Sequence, residues 1–445
     1  MSDLEAIKRS LPSNWEVYNT EDILIDKKGA IKIGPFGSQL KKEFMVSSGY
    51  KVYGQENVIE NDFSIGDRFL AEEKYIQLRS CELKTGDVVI SMMGTIGKCE
   101  IVPDDIQVGI MDSHLLRLQV DSDKCDKQLL RQLIGEYELI KVQINRLSVG
   151  GIMDGLSSKV VKKLEFYLPS LHQQKEIAKI LSTVDNLIDQ TQNLIDKYTA
   201  VKQGMMADLF SRGIDLSGTQ ESNKNYGQLR PSFEHAPELY QETKLGWIPK
   251  DWEIANLGEV ADVIDPQPDH RTPPENENGI PYVGVGDFYW DQRIDRERCR
   301  KVIEAAYDKQ RGRFQVELGD SIFGKIGTIG QPKQLKETEG FALSANILLI
   351  KAKEKNDYVF SFFDSVFFNK QLSNIINTTS QPALGIQTMR DILVVYPKCE
   401  KELHSITEKL KAINDSIVAY RKELHKYELI KKGLMQDLLT GKVKV

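Results

Sequence analysis

The sequence predicts an α+β protein in which two tandem mixed α/β domains are each followed by a long helix. Three observations predict this fold. The 445 residues exceed what one ordinary core fills, the motifs occur twice in the same order, and two stretches keep an apolar heptad over four heptads. The two helices are therefore expected to pair as an antiparallel coiled coil with pseudo-two-fold symmetry.

The internal repeat covers both the globular and the helical parts of the chain. The offset between copies is 237 residues at the first motif and 229 at the last, so each copy carries insertions but keeps the order of its elements. The repeated stretches are LPSNWEV (11–17) with IPKDWEI (248–254), TGDVVISMMGTIGK (85–98) with LGDSIFGKIGTIGQ (318–331), MDSHLLRLQV (111–120) with LSANILLIKA (343–352), and VKQGMMADLF (201–210) with IKKGLMQDLL (430–439).

The repeat and the local composition divide the chain into five segments. Residues 1–170 and 246–397 hold β-type runs such as DVVISM and ANILLIKA, broken by glycine, and are predicted as the two globular domains. Residues 171–212 and 398–445 are predicted as the coiled-coil helices. Residues 213–245 are polar and lack periodicity, which indicates a linker.

The predicted seam of the coiled coil starts at Ile177 and repeats 229 residues later. A lysine interrupts both heptads at the same place, at Lys202 and Lys431. An apolar stripe more often packs on its own domain, but a heptad that is sustained over four heptads and recurs favours pairing of the two helices. The predicted seam residues are Ile177, Leu181, Val184, Ile188, Ile195, Tyr198, Met205, Leu209, Ile406, Leu410, Ile413, Ile417, Tyr420, Leu424, Tyr427, Leu434 and Leu438.

Composition and charge narrow the possible classes of protein. The net charge of −6 argues against indiscriminate coating of nucleic acid, although local basic patches can still bind it. No apolar run is long enough to span a bilayer and the first ten residues lack the apolar core of a secretory signal, so we expect a cytoplasmic protein with no membrane partner. The five cysteines are scattered and odd in number, which predicts buried thiols.

The sequence lacks any recognisable catalytic constellation. It has no phosphate-binding G-x-x-x-x-G-K-[ST] loop, and its single Pro-Pro, in RTPPEN, does not fit the tetrad of DNA amino-methyltransferases. The six histidines show no metal-ligand spacing, and His114 aligns with Asn346 in the other copy. We therefore predict neither catalytic residues nor a metal site.

Basic residues gather at corresponding places in the two copies. The segment 293–313 carries eight Arg or Lys against four acids, and 66–80 is its less basic counterpart. Arginine suits guanine edges and phosphates, whereas a solvated charged face is the alternative interpretation. The predicted seam spans ~50 Å, so two globular ends could meet successive turns of duplex DNA.

The order of motifs resembles the DNA-specificity subunit of type I restriction-modification systems. The motifs that carry the resemblance are WEV, GPFGSQL, GDVVISMMGTIGK, LPSLHQQKEIAKIL and KQGMMADLF, then LGWIPKDWE, LGDSIFGKIGTIG and KKGLMQDLLTGKVKV. The resemblance implies two target-recognition domains that each read half of a bipartite double-stranded DNA sequence. It also implies partner chains that carry the catalysis: two methyltransferase subunits that use S-adenosylmethionine, and restriction/translocase subunits that use ATP and Mg.

The resemblance leaves two other classes of function open: a methyltransferase or nuclease with unrecognised motifs, and a structural coiled-coil adaptor. Under the resemblance, basic residues in the recognition domains become candidates for phosphate or base contacts. These candidates are Lys41, Lys42, Arg68, Lys74, Arg79, Arg298, Arg300, Lys301, Arg311 and Arg313.

The stretch IGPFGSQLKKE (33–43) occurs in the first copy only. A loop essential to a chemistry shared by both halves should occur twice, so we do not interpret it as a nucleotide-binding loop. Gly34 and Gly37 are expected to allow a turn that brings Lys41 and Lys42 to the DNA backbone. A plain structural turn is the alternative.

Overall fold

The chain folds into two compact units, each of which combines a globular domain with parts of both long helices. The computed structural model describes residues 11–148, 156–269, 271–376 and 383–445. The units comprise Met1–Asp189 with His425–Val445, and Gln190–Leu424.

The described residues of the first unit form three small sheets. A four-stranded antiparallel sheet has the order β2-β9-β6-β7, a second sheet has the order β3-β5-β4-β8 with β4 and β8 parallel, and β1 pairs with β10. The strands are β1 (Glu16–Asn19), β2 (Ile31–Ile33), β3 (Met45–Val46), β4 (Tyr50–Tyr53), β5 (Phe69–Leu70), β6 (Val88–Ser91), β7 (Cys99–Ile101), β8 (Gly109–Met111), β9 (Leu115–Leu118) and β10 (Glu165–Leu168).

The second unit repeats this topology. Its four-stranded sheet has the order β14-β20-β17-β18, its β15 and β19 are parallel, and β13 pairs with β21. The strands are β11 (Tyr240–Thr243), β12 (Gly246–Pro249), β13 (Trp252–Asn256), β14 (Asp262–Ile264), β15 (Glu275–Val283), β16 (Arg300–Val302), β17 (Ser321–Gly324), β18 (Gly330–Gln334), β19 (Ala342–Leu343), β20 (Ile347–Lys351) and β21 (Leu393–Pro397).

The described residues also form ten shorter α-helices, and one long helix follows each domain. The helices are α1 (Gln55–Ile59), α2 (Glu72–Leu78), α3 (Lys127–Glu136), α4 (Glu138–Ser148), α5 (Ser158–Lys162), α6 (Leu171–Ser211), α7 (Leu257–Val260), α8 (Glu304–Arg311), α9 (Asn356–Phe362), α10 (Val366–Ile376), α11 (Ile386–Arg390) and α12 (Glu400–Leu438). The predicted α+β class, with two mixed domains each followed by a long helix, is confirmed.

The two long helices run antiparallel in each unit. In the first unit, Leu181 near the start of α6 shares a core with Met435 near the end of α12. In the second unit, Leu209 near the end of α6 shares a core with Ile406 near the start of α12. The start of each helix therefore packs against the end of the other, which makes the pair antiparallel.

Both long helices end at a glycine that lies against a tryptophan. Gly213 and Gly441 have φ angles of +64° and +68°, which glycine adopts without steric cost. A β-carbon on Gly213 would lie 2.5 Å from the Trp252 ring, and one on Gly441 would lie 3.5 Å from the Trp15 ring. The end of α6 therefore lies against Trp252, the first residue of β13 in the second unit. The end of α12 lies against Trp15, just before β1 in the first unit.

The segment 213–245, predicted as a linker, is folded onto the second unit. Its last residues form the strand β11, which pairs with β12 in a hairpin. Ile214 forms an isolated bridge with Leu229, and Arg230 is 5% exposed. Sequence reasoning missed this order because the segment lacks periodicity, while its structure depends on turns and on one buried ion pair.

None of the helices in the described part of the chain is long and apolar enough to cross a membrane.

Candidate nucleic-acid interface

The opening loop of the first domain, residues 33–43, packs closely against the fold at Gly34 and is exposed to solvent at Phe36. A β-carbon on Gly34 would lie 1.9 Å from the carbonyl oxygen of Asp112, so glycine is required there for close approach. Gly37 has a φ of +52° and begins a 3-10 turn. Phe36, between them, is 60% exposed. Both glycines have a structural reason, which supports the interpretation of this stretch as a shaped turn.

The two lysines that follow this loop lie on the surface. Lys41 and Lys42 are both exposed, and Lys41 Nζ lies 3.3 Å from a carboxylate oxygen of Glu43. Among the described residues, Lys42 has no carboxylate partner. Its ammonium group is therefore available to a phosphate.

Arg68, another candidate, is occupied inside the fold. Its guanidinium donates to Asp112 at 2.9 Å and to Glu56 at 2.8 Å. Burial acts to lower the pKa of Arg68, but the hydrogen bonds and charges of the two carboxylates outweigh it, and the pKa is raised. Asp112 also lies against Gly34 of the opening loop, so Arg68 helps to hold the residue on which that loop packs. Its guanidinium donors to Asp112 and Glu56 are already used within the fold.

Lys74 and Arg79 lie on or next to α2. Lys74 Nζ sits 4.2 Å above the centre of the Phe44 ring and donates to Gln77. Arg79 is exposed and lies 3.8 Å from a carboxylate oxygen of the mostly buried Glu82, a long and weak ion pair. Both cations stay accessible to solvent and can exchange these partners for phosphate.

The basic segment of the second domain is mostly neutralised by nearby carboxylates. Of its eight cations, five form salt bridges: Arg293 with Asp291, Arg296 with Glu337, Arg300 with Glu275, Lys309 with Asp269, and Arg311 with Glu339. Much of the apparent positive charge is thus balanced within the unit. For these five cations, a solvated charged face explains the basic residues without any contact with DNA.

The other candidates in this segment differ in how far they are committed. Arg313 donates to the backbone carbonyls of Pro266 and Asp265 at 3.0 and 3.2 Å. Arg298 and Lys301 are exposed, and neither has a carboxylate partner within the described residues. Among the described cations of this segment, these two remain free to meet an anionic ligand.

None of the predicted seam residues is fully exposed to solvent. Ten of the seventeen are buried and the other seven, including Ile188 and Tyr427, are half-buried. Tyr198 and Tyr420 face each other across the helix pair, with ring centroids 5.3 Å apart. The apolar heptads therefore form contacts between α6 and α12 as well as with the domain cores.

The lysines that interrupt the heptads are ion-paired at both places. Lys431 Nζ lies 2.5 Å from Asp185 and also pairs with Glu136 of α3. Lys202 Nζ lies 2.8 Å from Asp364, which follows α9. Recurrence of a lysine at one heptad position in both copies was a signal of this role.

A buried cluster at the start of α12 was missed at the sequence level. Glu402 is 1% exposed and accepts two bonds from Arg230, at 2.5 and 2.9 Å, and one from Trp252 Nε1 at 3.1 Å. The backbone N–H of Ile214 donates to it at 2.9 Å, and Asp251 takes a further Arg230 donor at 2.6 Å. The cluster fastens the segment 213–245 to the helix.

No group of three or more His, Cys, Asp or Glu in the described ranges could hold a metal ion. Four of the five cysteines are buried, and burial raises the pKa of the Cys125 and Cys299 thiols to about 12. These thiols are therefore protonated and unreactive at neutral pH.

Comparison with known proteins agrees with the duplicated architecture. The family model of the type I restriction modification DNA specificity domain matches residues 12–199 and 249–426. The MjaVIII specificity subunit of a type I restriction enzyme from Methanocaldococcus jannaschii is 29% identical over 347 residues, covering 76% of this chain and 75% of that protein.

Two further similarities cover almost the whole chain. The putative MjaX specificity subunit of the same organism is 25% identical, over 98% of this chain and 95% of that protein. The crystal structure of the S subunit of a type I restriction-modification system from M. genitalium has a TM-score of 0.57 at 14% identity, over 96% of this chain and 98% of that one. Since the family model matches both halves, the chain belongs to the type I restriction-modification DNA specificity family.

Proposed function

We propose that this chain is the non-catalytic DNA-recognition subunit of a type I restriction-modification complex and that its two domains read the two halves of a bipartite target. The observation that carries the proposal is one topology occurring twice with different exposed cations: Lys42 and Arg79 in the first domain, Arg298 and Lys301 in the second. The same scaffold with different surfaces suits two different half-sites.

The paired helices would set the gap between the half-sites. α6 has 41 residues and α12 has 39, so each is ~60 Å long at 1.5 Å per residue. Lengthening both helices by the same number of heptads keeps the seam in register and should lengthen the unspecified gap in the target. A single inserted residue near Ile188 breaks the register and should disrupt assembly or function.

The exposed cations are proposed to hold the DNA backbone, while base edges are read by neighbouring side chains. A protein that neutralises Z phosphates shows a slope of log K against log salt of about −0.9Z. Lys42→Ala should weaken binding equally on all sequences and reduce this slope by about 0.9. An unchanged slope would remove Lys42 from the interface.

The chemistry is proposed to lie on partner chains. Two methyltransferase subunits would use S-adenosylmethionine and flip an adenine from the stack, and restriction/translocase subunits would use ATP and Mg. This chain places those subunits over the target. Methylation of DNA by the purified chain alone would contradict this division of labour and support a catalytic function.

A domain exchange tests the proposal directly. Residues 246–397 are replaced by the corresponding domain of a relative, and the modified sites in the host genome are mapped by methylome sequencing. One half-site should change and the other should stay. An unchanged target would contradict recognition by this domain and favour a structural adaptor.

A further inference from the structure

Each unit carries the same glycine-flanked turn at one end of its four-stranded sheet. The turn GTIG (94–97) lies between β6 and β7, and the same four residues (327–330) recur between β17 and β18. The side chains behind the turn are not retained. Met92 in the first copy corresponds to Lys325 in the second, which pairs with Asp265 at 2.5 Å. The turn has thus stayed the same while its surroundings have diverged.

The geometry of the turn explains its glycines but not its threonine. All four glycines have positive φ angles, of +65° and +80° in the first copy and +75° and +93° in the second, which glycine adopts without steric cost. Thr95 and Thr328 are both exposed, and neither hydroxyl has a hydrogen-bond partner among the described residues. A reason for the recurrence of threonine therefore has to be found outside the turn.

The carbonyl group of this threonine lies against the preceding strand in both copies. In the first copy, Ser91 Oγ donates to the carbonyl oxygen of Thr95 at 2.5 Å. In the second copy Gly324 takes the place of Ser91, and a β-carbon there would lie 1.9 Å from the carbonyl oxygen of Thr328. Two different strand residues thus accommodate the same inward-facing carbonyl.

The backbone N–H groups of the turn have no acceptor within the part of the chain that the structure describes. This holds for Gly94, Thr95 and Ile96 in the first copy and for the equivalent residues 327–329 in the second. No acidic residue occurs from 92 to 98 or from 325 to 331. Each turn therefore presents three successive N–H groups and one hydroxyl, with no carboxylate of its own to occupy them.

These donors fit a phosphate group. Successive N–H groups in a turn form concavities that bind anions, and phosphate oxygens of DNA accept from backbone N–H groups and threonine as well as from cations. Lys98, which follows the first turn, is replaced by the neutral Gln331 in the second copy. The chemistry that recurs is therefore that of neutral hydrogen-bond donors.

The retention of the turn indicates which part of the DNA it meets. Two different half-sites have different bases, but they share the same sugar-phosphate backbone. A contact that reads bases should diverge between the two domains, whereas a contact with phosphate can stay the same. Water can also satisfy exposed donors, but it does not require the same threonine in both copies.

We propose that Thr95 and Thr328, together with the N–H groups of their turns, each bind one phosphate of the DNA backbone, at equivalent positions of the two half-sites. This inference rests on the proposed function, which supplies one duplex with two half-sites for two domains of one topology. The two turns then position each domain on the backbone, while residues that differ between the domains select the bases.

The test measures DNA binding by the complex assembled with the methyltransferase subunits of the same system. Thr95→Val and Thr328→Val remove the hydroxyl with little change of shape, whereas serine at either position keeps it. Since a hydrogen bond to a charged group is stronger than one between neutral groups, each valine variant should weaken binding by roughly tenfold. The loss should be equal on target and non-target duplexes, and the serine variants should bind like the unaltered complex.

Salt dependence separates these neutral donors from cations. A neutral donor releases no counterion, so the slope of log K against log salt should not change in the valine variants. Loss of a lysine contact would instead reduce that slope by about 0.9.

Single methylphosphonate substitutions in the target identify the phosphate, because each removes the charge of one phosphate group. Thr95→Val should lose its effect when one phosphate of one half-site is replaced, and Thr328→Val when the equivalent phosphate of the other is replaced.

Thr85→Val is the matched control. Thr85 is exposed, lies before the start of β6 and corresponds to Leu318 in the second copy. Its replacement should leave DNA affinity unchanged, because this threonine is not retained and lies at the opposite end of the strand from the turn.

A sequence-independent loss that disappears at one methylphosphonate in each half-site supports the proposal. Unchanged affinity in both valine variants, or a loss confined to the target sequence, overturns it. Failure of the valine variants to assemble with the methyltransferase subunits in native mass spectrometry also overturns it, because the turns would then contact protein. If the unaltered complex shows no sequence-selective binding, the proposed function fails, whereas the turns are still tested on the non-target duplex.

Discussion

Lys431 Nζ lies 2.5 Å from Asp185 Oδ1, and the same ammonium group pairs with Glu136. The contact joins three elements of the first unit: the end of α12, the start of α6 and the end of α3. Lys202 occupies the equivalent position 229 residues earlier and pairs with Asp364, which follows α9. The lysine that interrupts each heptad thus forms an ion pair between a long helix and a globular domain.

Replacing Lys431 by methionine tests this fastening. Methionine keeps the unbranched shape but leaves Asp185 and Glu136 without their cation. Since the lysine side chain is 15% exposed, the loss should reach about 2 kcal/mol of unfolding free energy, less than for a fully buried pair. Urea unfolding followed by circular dichroism measures it.

Lys442→Met is the matched control. Lys442 pairs with Asp437 at 3.0 Å but is 74% exposed, so its replacement should change stability by less than about 0.5 kcal/mol. Equal effects of the two substitutions would contradict a structural role specific to Lys431.

Glu402→Leu should be the more damaging change, because it removes the buried carboxylate of Arg230 and leaves that buried guanidinium with the half-exposed Asp251 as its carboxylate partner. Removing one partner of a buried ion pair costs about 3–5 kcal/mol, and here Trp252 Nε1 and the Ile214 N–H lose an acceptor too. Glu408→Leu, at an exposed position of the same helix, is the control.

A double-mutant cycle with Arg230→Met separates the ion pair from simple packing. Removing both charges also removes the unpaired buried charge, so the double variant should be less destabilised than the sum of the single ones. Additive effects would show that Arg230 and Glu402 act independently.

The repeat and the heptad were sufficient to predict the fold class, because a recurring apolar pattern reports directly on which face is buried. The opening loop was harder. Gly37 signals a turn in any sequence, whereas the need for Gly34 depends on the carbonyl of Asp112, a residue distant in the chain. Long-range close approaches leave no local pattern.

The basic candidates show the same limit. Charge density in 293–313 suggested a positive surface, but several partners, such as Glu275 and Glu337, lie outside that segment. Arg68 similarly meets Asp112 through the tertiary fold. Sequence shows where cations are, whereas their free charge depends on which carboxylates the fold brings near them.

The two glycines within the long helices predict a stabilising substitution. Gly204 and Gly433 occupy equivalent positions, both are exposed, and a β-carbon at either would meet nothing within 4 Å. Alanine favours the helix over glycine by about 1 kcal/mol, so Gly204→Ala and Gly433→Ala should each raise the unfolding free energy by about that amount. Thermal unfolding of the isolated chain checks this.

Gly213→Ala provides the contrast within the same helix region. Its φ of +64° and the nearby Glu402 and Trp252 side chains leave no room for a β-carbon, so this change should destabilise the chain. If Gly204→Ala also lowered the unfolding free energy, the prediction that a β-carbon fits at Gly204 without a clash would be wrong.

Buried acids at equivalent turns predict a pH dependence of stability. Burial raises the pKa of Asp87 and of Asp320 above the ordinary 3.8. An acid whose pKa is raised by folding is ionised at a cost, so its contribution to stability is full below pH 3.8 and falls as the pH rises through the folded pKa. Asp87→Asn removes this titration, and its stability relative to the unaltered chain should therefore improve from pH 3.8 upward.

Asp62→Asn should show the opposite slope. Hydrogen bonds from Ser64 lower the pKa of Asp62, so its ionised form favours folding above pH 3.8 and that contribution is lost as the pH falls through the folded pKa. The asparagine variant should then lose stability relative to the unaltered chain as the pH rises. Urea unfolding of both variants is measured from about pH 2 to pH 7, so that it includes the range below 3.8 in which the Asp62 contribution is lost. Expressing the results as differences from the unaltered chain cancels the other carboxylates. If the stability differences of the two variants changed with pH in the same direction, the opposite pKa shifts of Asp87 and Asp62 would be contradicted.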